Sequence, residues 1–167
     1  MNVRRAAEED LPGAFGVFEA TAAEGKWIAS EPPLDRKDTL NRWRESSLGD
    51  SGGAMLVAEA DGVIVGTASV IPEGRCGSGL FELGMCVAPG QRGKGIGGAL
   101  LAACIEWVRQ AGGHKITLQV WPHNDAARSL YRKFEFEEEG YLRRHWRRRS
   151  GELWDCIVMG LLLDNHS

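Results

Sequence analysis

The sequence predicts an α/β fold, a single mixed, mostly antiparallel sheet with one parallel strand-helix-strand crossover. Three observations predict it. Strand-like and helix-like periods follow the order strand, two helices, three strands, helix, strand, helix, two strands. Asp61-Gly62 joins two strand-like runs and is the two-residue type that turns an antiparallel hairpin without strain. The segment from Leu80 to Trp121 reads as strand, helix, strand, a crossover that is parallel and right-handed. A ligand is then expected at the carboxyl ends of its two strands. The 167 residues suit one domain spanning the whole chain.

Each element has a local cause. Asn2 to Ala6 forms a short strand. Glu8, Glu9 and Asp10 suit the positive end of a helix running to about Ala23, which Gly13 and Gly16 weaken. Gly25 to Leu34 carries Pro32 and Pro33 and reads as loop. Asp35 then caps a second helix through Leu40 and Trp43, ending near Gly49 to Gly53. Met55 to Ala60 and Val63 to Ile71 are the hairpin strands, and Leu80 to Val87 is the third run. The next helix carries Ile96, Leu100, Cys104, Trp107, Val108 and Ala111 on one face until Gly112-Gly113 stops it. Ile116 to Trp121 is a strand, and Asn124 or Asp125 caps a helix through Ala127, Leu130, Tyr131 and Phe134. Two last strands, Phe136 to Arg147 and Glu152 to Leu163, meet at Ser150-Gly151.

Composition narrows the function classes. Twenty basic against 23 acidic residues give a net charge of -3, which disfavours a general nucleic-acid coat. Cys76, Cys86, Cys104 and Cys156 are widely spaced, with no CxxC pair and no histidine at finger spacing, so no metal is expected. The charged start and the shortness of the apolar run Cys156 to Leu163 point to no signal peptide and no membrane span, hence a cytoplasmic location with reduced thiols.

The strongest local signal is the stretch Val87 to Gly98, between a strand and a helix. Its glycines let the backbone approach a ligand, the helix start offers unpaired N–H groups to an anion, and Arg92 and Lys94 add positive charge. A pyrophosphate fits such a place. A Walker A loop is excluded, because Gly95 follows the lysine and Ala88 stands where its first glycine would be. Gly93, Gly95 and Gly98 match G-x-G-x-x-G, but five residues separate Val87 from Gly93 and no acidic residue lies between Glu106 and Asp125, which argues against a dinucleotide.

Arg92-x-x-Gly95-x-Gly97, preceded by Val87-x-Pro89, resembles the acyl-CoA signature of the GNAT superfamily of N-acetyltransferases. Asn124, Ala127, Tyr131 and Phe136 match that family's Asn-x-x-Ala-x-x-x-Tyr-x-x-x-x-Phe segment, so the resemblance covers roughly Met55 to Leu163. It implies the GNAT-like acyl-CoA N-acyltransferase fold, with acetyl-CoA as co-substrate. Backbone groups of Met85, Cys86 and Val87 would hold its pantetheine arm as an added strand, and the N–H groups of Arg92, Gly93, Lys94, Gly95, Ile96, Gly97 and Gly98 its pyrophosphate. Asn124 would contact the pantetheine, cap its helix, or both. The family has glycine before the phenylalanine; here Glu135 stands, at a cost of up to about 1 kcal/mol if φ is positive.

The resemblance implies direct attack of an amine on the thioester in a ternary complex, without a covalent intermediate, with the N–H of Val87 or its neighbour stabilising the oxyanion. It makes Tyr131 the proton donor for the departing sulfur, since a phenol of pKa about 10 is protonated near neutrality; the same residue also reads as core packing beside Leu130 and Phe134. Glu82 alternates with Gly84 and Cys86, opposite Phe81, Leu83 and Met85, and is either a base whose pKa burial raises or a salt-bridged surface glutamate. A lysine-like amine of pKa about 10.4 needs such a base more than an α-amine near about 7.8. Trp27, Glu31, Trp154 and Asp155 are further candidates for the acceptor pocket. Arg143, Arg144, Arg147, Arg148 and Arg149 read as a solvated face with Glu135 and Glu137 to Glu139 as partners, or as an RNA-binding strand.

The resemblance therefore implies an acetyl-CoA-dependent N-acetyltransferase acting on an amino acid, small amine or protein N-terminus. A non-catalytic acyl-CoA sensor and an RNA-associated acetyltransferase are the rival readings. Neither membrane nor nucleic acid is an expected partner, and the open edge of the last strands permits a homodimer.

Overall fold

The computed structural model describes residues 1–75 and 77–163; Cys76 lies outside them. Twelve elements follow the expected order, with one addition. They are β1 (Asn2–Arg5), a 3-10 turn (Glu8–Asp10), α1 (Leu11–Ala23), α2 (Arg36–Ser47), β2 (Ala54–Ala60), β3 (Val63–Pro72), β4 (Leu80–Val87), α3 (Ile96–Gln110), β5 (Lys115–Val120), α4 (Asp125–Lys133), β6 (Glu137–Arg147) and β7 (Leu153–Leu162). The addition corrects the expectation of one helix from Glu8. Pro12 has no N–H to donate and so suits the first turn of α1, and the Asp10 carboxylate accepts from Ala7 N–H at 2.7 Å while pairing with Arg4, which holds the tighter turn ahead of the helix.

The seven strands form one sheet in the order β1-β2-β3-β4-β5-β7-β6. Every pairing is antiparallel except β4 with β5, as the crossover requires. Asp61 and Gly62 both take positive φ, 51° and 75°, which turns β2 into β3. The period of two is visible in β2. Leu56 and Ala58 face one apolar cluster with Leu100, Leu101, Leu118 and Met159, whereas Met55 and Val57 face a second with Leu11 and Ala14. Thus α3 and α4 cover one face of the sheet, and α1 and α2 the other. α3 sits close because β3 carries Gly66 there, where a Cβ would meet Ile96 and Leu100 side-chain carbons at 2.9 Å.

α4 closes as the Glu135 substitution demands. Phe136 N–H donates to the Tyr131 carbonyl and Glu135 N–H to the Arg132 carbonyl, the paired bonds of a Schellman end, with Glu135 in the left-handed region at φ 70°. Among the described residues no helix is long and apolar enough to cross a membrane.

Candidate functional site

The centre of the sheet parts. β4 and β5 pair only at Leu80↔Lys115, Phe81↔Ile116 and Glu82↔Thr117, yet β4 stays on β3 as far as Val87 and β5 stays on β7 as far as Val120. The parity of the β3–β4 ladder tells what faces the opening. Ala88 N–H donates to the Val65 carbonyl and Glu73 N–H to the Leu80 carbonyl, so even-numbered residues of β4 bond β3. The N–H and C=O groups of Met85 and Val87 therefore point into the gap. A cleft of about 740 Å³ opens here.

One end of the cleft is the turn between β4 and α3. Gly90, Gly93 and Gly95 have φ of 84°, 78° and 82°, a backbone that costs other residues about 1–2 kcal/mol. Gly95 is the N-cap of α3 and no side chain caps that helix, so its first N–H groups are left for a ligand. Gly97 permits the approach of α4: a Cβ there would lie 3.1 Å from Leu130. Arg92 is tied down, donating to both oxygens of Glu24 at 2.6 and 2.9 Å and through Nε to the Val87 carbonyl at 3.2 Å. That pairing holds the Glu24 carboxyl below its usual range. Lys94 donates to Gln91 at 3.2 Å. Of the residues singled out in the sequence, Trp27, Glu82, Met85, Cys86, Val87, Arg92, Gly93, Gly95, Ile96, Gly97, Asn124 and Tyr131 all border the cleft; Lys94, Gly98, Glu31, Trp154 and Asp155 do not.

The middle of the cleft holds the chemistry-bearing side chains. Asn124 caps α4, accepting from Ala127 N–H at 3.2 Å. Tyr131 is 7% exposed, its ring 5.7 Å from that of Phe136, and burial first, then Cys86 and Cys104, push its phenol well above the ordinary range. Glu82 stands where the strands separate; partial burial, then Glu73, raises its carboxyl. The Cys86 thiol is pushed up to about 11 by burial, which keeps it protonated and inert as a nucleophile.

The other end lies on the α1 face, under the 25–34 loop. Trp27, Ile28 and Ala29 line it from the loop, and Gln119, Trp121, Trp146 and Cys156 from the sheet. Gln119 Oε1 accepts from Trp146 Nε1 at 3.1 Å. Trp121 stands edge-on to Trp146 and Trp154, with centroids 6.3 and 5.1 Å apart. Gln119 and Trp146 were not singled out from the sequence. The alternation in β5 holds the signal: with Ile116, Leu118 and Val120 buried in the core, Gln119 must face the other way at the carboxyl end of the strand.

The arginine run is exposed at Arg143, Arg144, Arg147 and Arg149, as a solvated face requires, and the expectation is corrected at one position. Arg148 is 4% exposed, with its guanidinium 4.4 Å from the Trp154 ring and 5.3 Å from that of Trp121. Nη1 donates to the Ala29 carbonyl at 2.9 Å and Nη2 lies 3.6 Å from Glu31. Arg149 N–H donates to Glu31 at 2.9 Å. Two of the expected partners are engaged elsewhere, Glu138 with Arg128 and Arg132, and Glu139 with Lys115. Asp155 accepts from the Tyr141 hydroxyl and from Arg144 N–H, both at 2.6 Å.

Comparison with known proteins extends this geometry. A sequence model of the acetyltransferase (GNAT) family matches residues 17–136. The L-methionine sulfoximine/L-methionine sulfone acetyltransferase of Pseudomonas aeruginosa is 29% identical over 167 residues, covering 98% of this chain and 95% of that protein. An acetyltransferase of Pectobacterium atrosepticum is 31% identical over 160 residues, covering 96% and 94%. Among solved structures, ribosomal-protein-alanine N-acetyltransferase from Brucella melitensis superposes with a TM-score of 0.87 at 30% identity, covering 98% of this chain and 100% of that one. YncA from Salmonella typhimurium, solved with its cofactor acetyl-CoA, superposes with a TM-score of 0.86 at 25% identity, covering 100% and 96%. Because the match runs through both the glycine-rich turn and the Asn124 helix, the chain belongs to the acetyltransferase (GNAT) family and is an N-acetyltransferase.

Proposed function

We propose that the protein transfers the acetyl group of acetyl-CoA to a primary amine by direct attack in a ternary complex. The observation that carries this reading is the gap between β4 and β5, which ends at the uncapped start of α3. An extended, amide-bearing arm can pair with the backbone groups of Met85 and with the Val87 N–H as a strand would, while the Val87 carbonyl accepts from Arg92 Nε. A pyrophosphate at the other end meets the N–H groups from Gly93 to Gly98 and the positive end of the helix dipole. The open space at Gly93 and Gly95, where a Cβ would touch nothing within 4 Å, supports the fit.

In the transfer the amine nitrogen bonds the carbonyl carbon, the carbon–sulfur bond breaks, and the sulfur leaves as thiolate. The Val87 N–H, turned into the gap, supports the oxyanion. Tyr131, kept neutral by its burial, donates its proton to the sulfur. Glu82 receives the proton lost by the amine, directly or through water, its raised pKa bringing it nearer to neutrality. The named substrates of the relatives, L-methionine sulfoximine and sulfone in one and a ribosomal-protein alanine in another, support a primary amine as the acceptor class.

The test is release of CoA thiol from acetyl-CoA with amino acids, small amines, and N-terminal and lysine peptides as acceptors. Release that depends on an acceptor supports the proposal; tight acetyl-CoA binding with no release from any acceptor overturns it.

A further inference from the structure

We infer that the acceptor is a primary amine with an aromatic or alkyl body and no carboxylate on the carbon bearing the amine. The inference deepens the transferase proposal and rests on it. It comes from the charge and shape of the cleft end beneath the 25–34 loop.

The walls there are aromatic and apolar. Trp146 and Trp121 meet edge to face, and Trp27, Ile28 and Ala29 close the loop side. The loop is fastened over this end: Arg148 Nη1 holds the Ala29 carbonyl at 2.9 Å, and Arg149 holds Glu31 through its N–H and the Pro33 carbonyl through Nη2. A flat or branched apolar body fits such a chamber, and burying one there contributes about 25 cal/mol per Å².

The ionisable groups select further. Glu82, in the middle of the same cleft, is a carboxylate, which favours an ammonium or amine nearby and opposes a second carboxylate. Among the described residues the cations that border the cleft, Arg92 and Lys133, come from its α3 and α4 side, and Arg92 is already neutralised by Glu24 at 2.6 Å. Arg148, the arginine stacked on the tryptophans, does not border the cleft: its guanidinium lies on Trp154, Nη1 donates to the Ala29 carbonyl and Nη2 lies 3.6 Å from Glu31. The other polar side chains of the cleft lining, Gln119, Thr21 and Asn124 among them, carry no charge. A free amino acid would thus bury its carboxylate beside a like charge without a cation, the arrangement that desolvation penalises most. The corresponding amine meets no such penalty.

The experiment compares kcat/KM for matched pairs that differ only in the carboxylate, tryptamine with L-tryptophan and phenethylamine with L-phenylalanine. L-tryptophan amide is included because it restores bulk without charge. We expect the amines to exceed the amino acids by at least about 100-fold, with the amide on the side of the amines. Gln119→Arg, which supplies a cation to the chamber, should move the amine-to-amino-acid ratio at least about tenfold toward the amino acid. That ratio does not depend on how much of the variant is folded. Amino acids used as well as or better than their amines, or a ratio unmoved by Gln119→Arg, would overturn the inference. Turnover confined to amino acids sinks this inference alone, whereas absence of acetyl-CoA binding by calorimetry sinks the transferase proposal beneath it.

Discussion

Replacing Arg148 with alanine removes the clamp between the 25–34 loop and the β6–β7 turn, and its size can be worked from the contacts. The charged hydrogen bond to the Ala29 carbonyl, 2.9 Å long and buried, contributes about 2 kcal/mol. The stack on Trp154 at 4.4 Å, desolvated at 4% exposure, contributes about 2 kcal/mol more. Nη2 has no hydrogen-bond partner among the described residues, so losing the guanidinium relieves about 1 kcal/mol of desolvation. The net destabilisation is about 3 kcal/mol, which for a chain of this size lowers Tm by about 6–12 °C. Arg147→Ala, in the same run but exposed, should shift Tm by no more than about 2 °C. Arg148→Lys keeps the charge but loses the planar stack and fork, and should recover less than half of the loss. The assay is thermal unfolding by circular dichroism, run side by side, with amide exchange read over residues 25–34. Equal melting of Arg148→Ala and Arg147→Ala would refute the reasoning.

Tyr131→Phe should lower kcat by about 10²–10⁴ while the Kd of acetyl-CoA by calorimetry stays within about twofold; unaltered kcat removes Tyr131 as the acid. Gly95→Glu adds strain at φ 82° and sets a carboxylate at the start of α3, so acetyl-CoA affinity should fall at least about 100-fold with the circular dichroism spectrum retained. Normal affinity would remove the anion assignment. Glu82→Gln should abolish the acid limb of the pH–rate profile, which in the parent lies above the ordinary carboxylate range because burial and Glu73 raise that pKa. The sign for stability follows: a carboxyl raised on folding is destabilising once ionised, so Glu82→Gln should melt higher than the parent at about pH 8, and the difference should vanish as pH falls below the unfolded-state value.

Local rules carried much of the fold into view. Asp61-Gly62 gave its hairpin away because two adjacent residues that tolerate positive φ have few other uses between strand-like runs. Glu135 announced its own strain, since the helix must close in a left-handed residue whatever side chain stands there. The glycine-rich turn was legible for the same reason, as each glycine answers a backbone need within a few residues. Arg148 was not legible. It lies past the end of β6, a strand whose register slips at Glu138/Gly140 and Leu142/Trp146, so alternation cannot be carried along it. Its partners, Ala29 and Trp121, come from distant parts of the chain. The parting of β4 and β5 is equally silent in local pattern, because both strands keep good neighbours on their far sides.

That parting gives the protein an unusual mechanical plan. Across its middle the sheet is stitched by three residue pairs, at one end only; the strands on either side behave as two leaves bound along a short spine. An acetyl-CoA arm laid between Met85 and Val87 and the opposite leaf would serve as the missing seam. Occupancy would then register as rigidity: at a concentration about 100 times Kd the ligand adds about 2.7 kcal/mol to folding. The leaves would slacken each time CoA departs, so a catalytic cycle would double as a cycle of stiffening and release in the sheet itself.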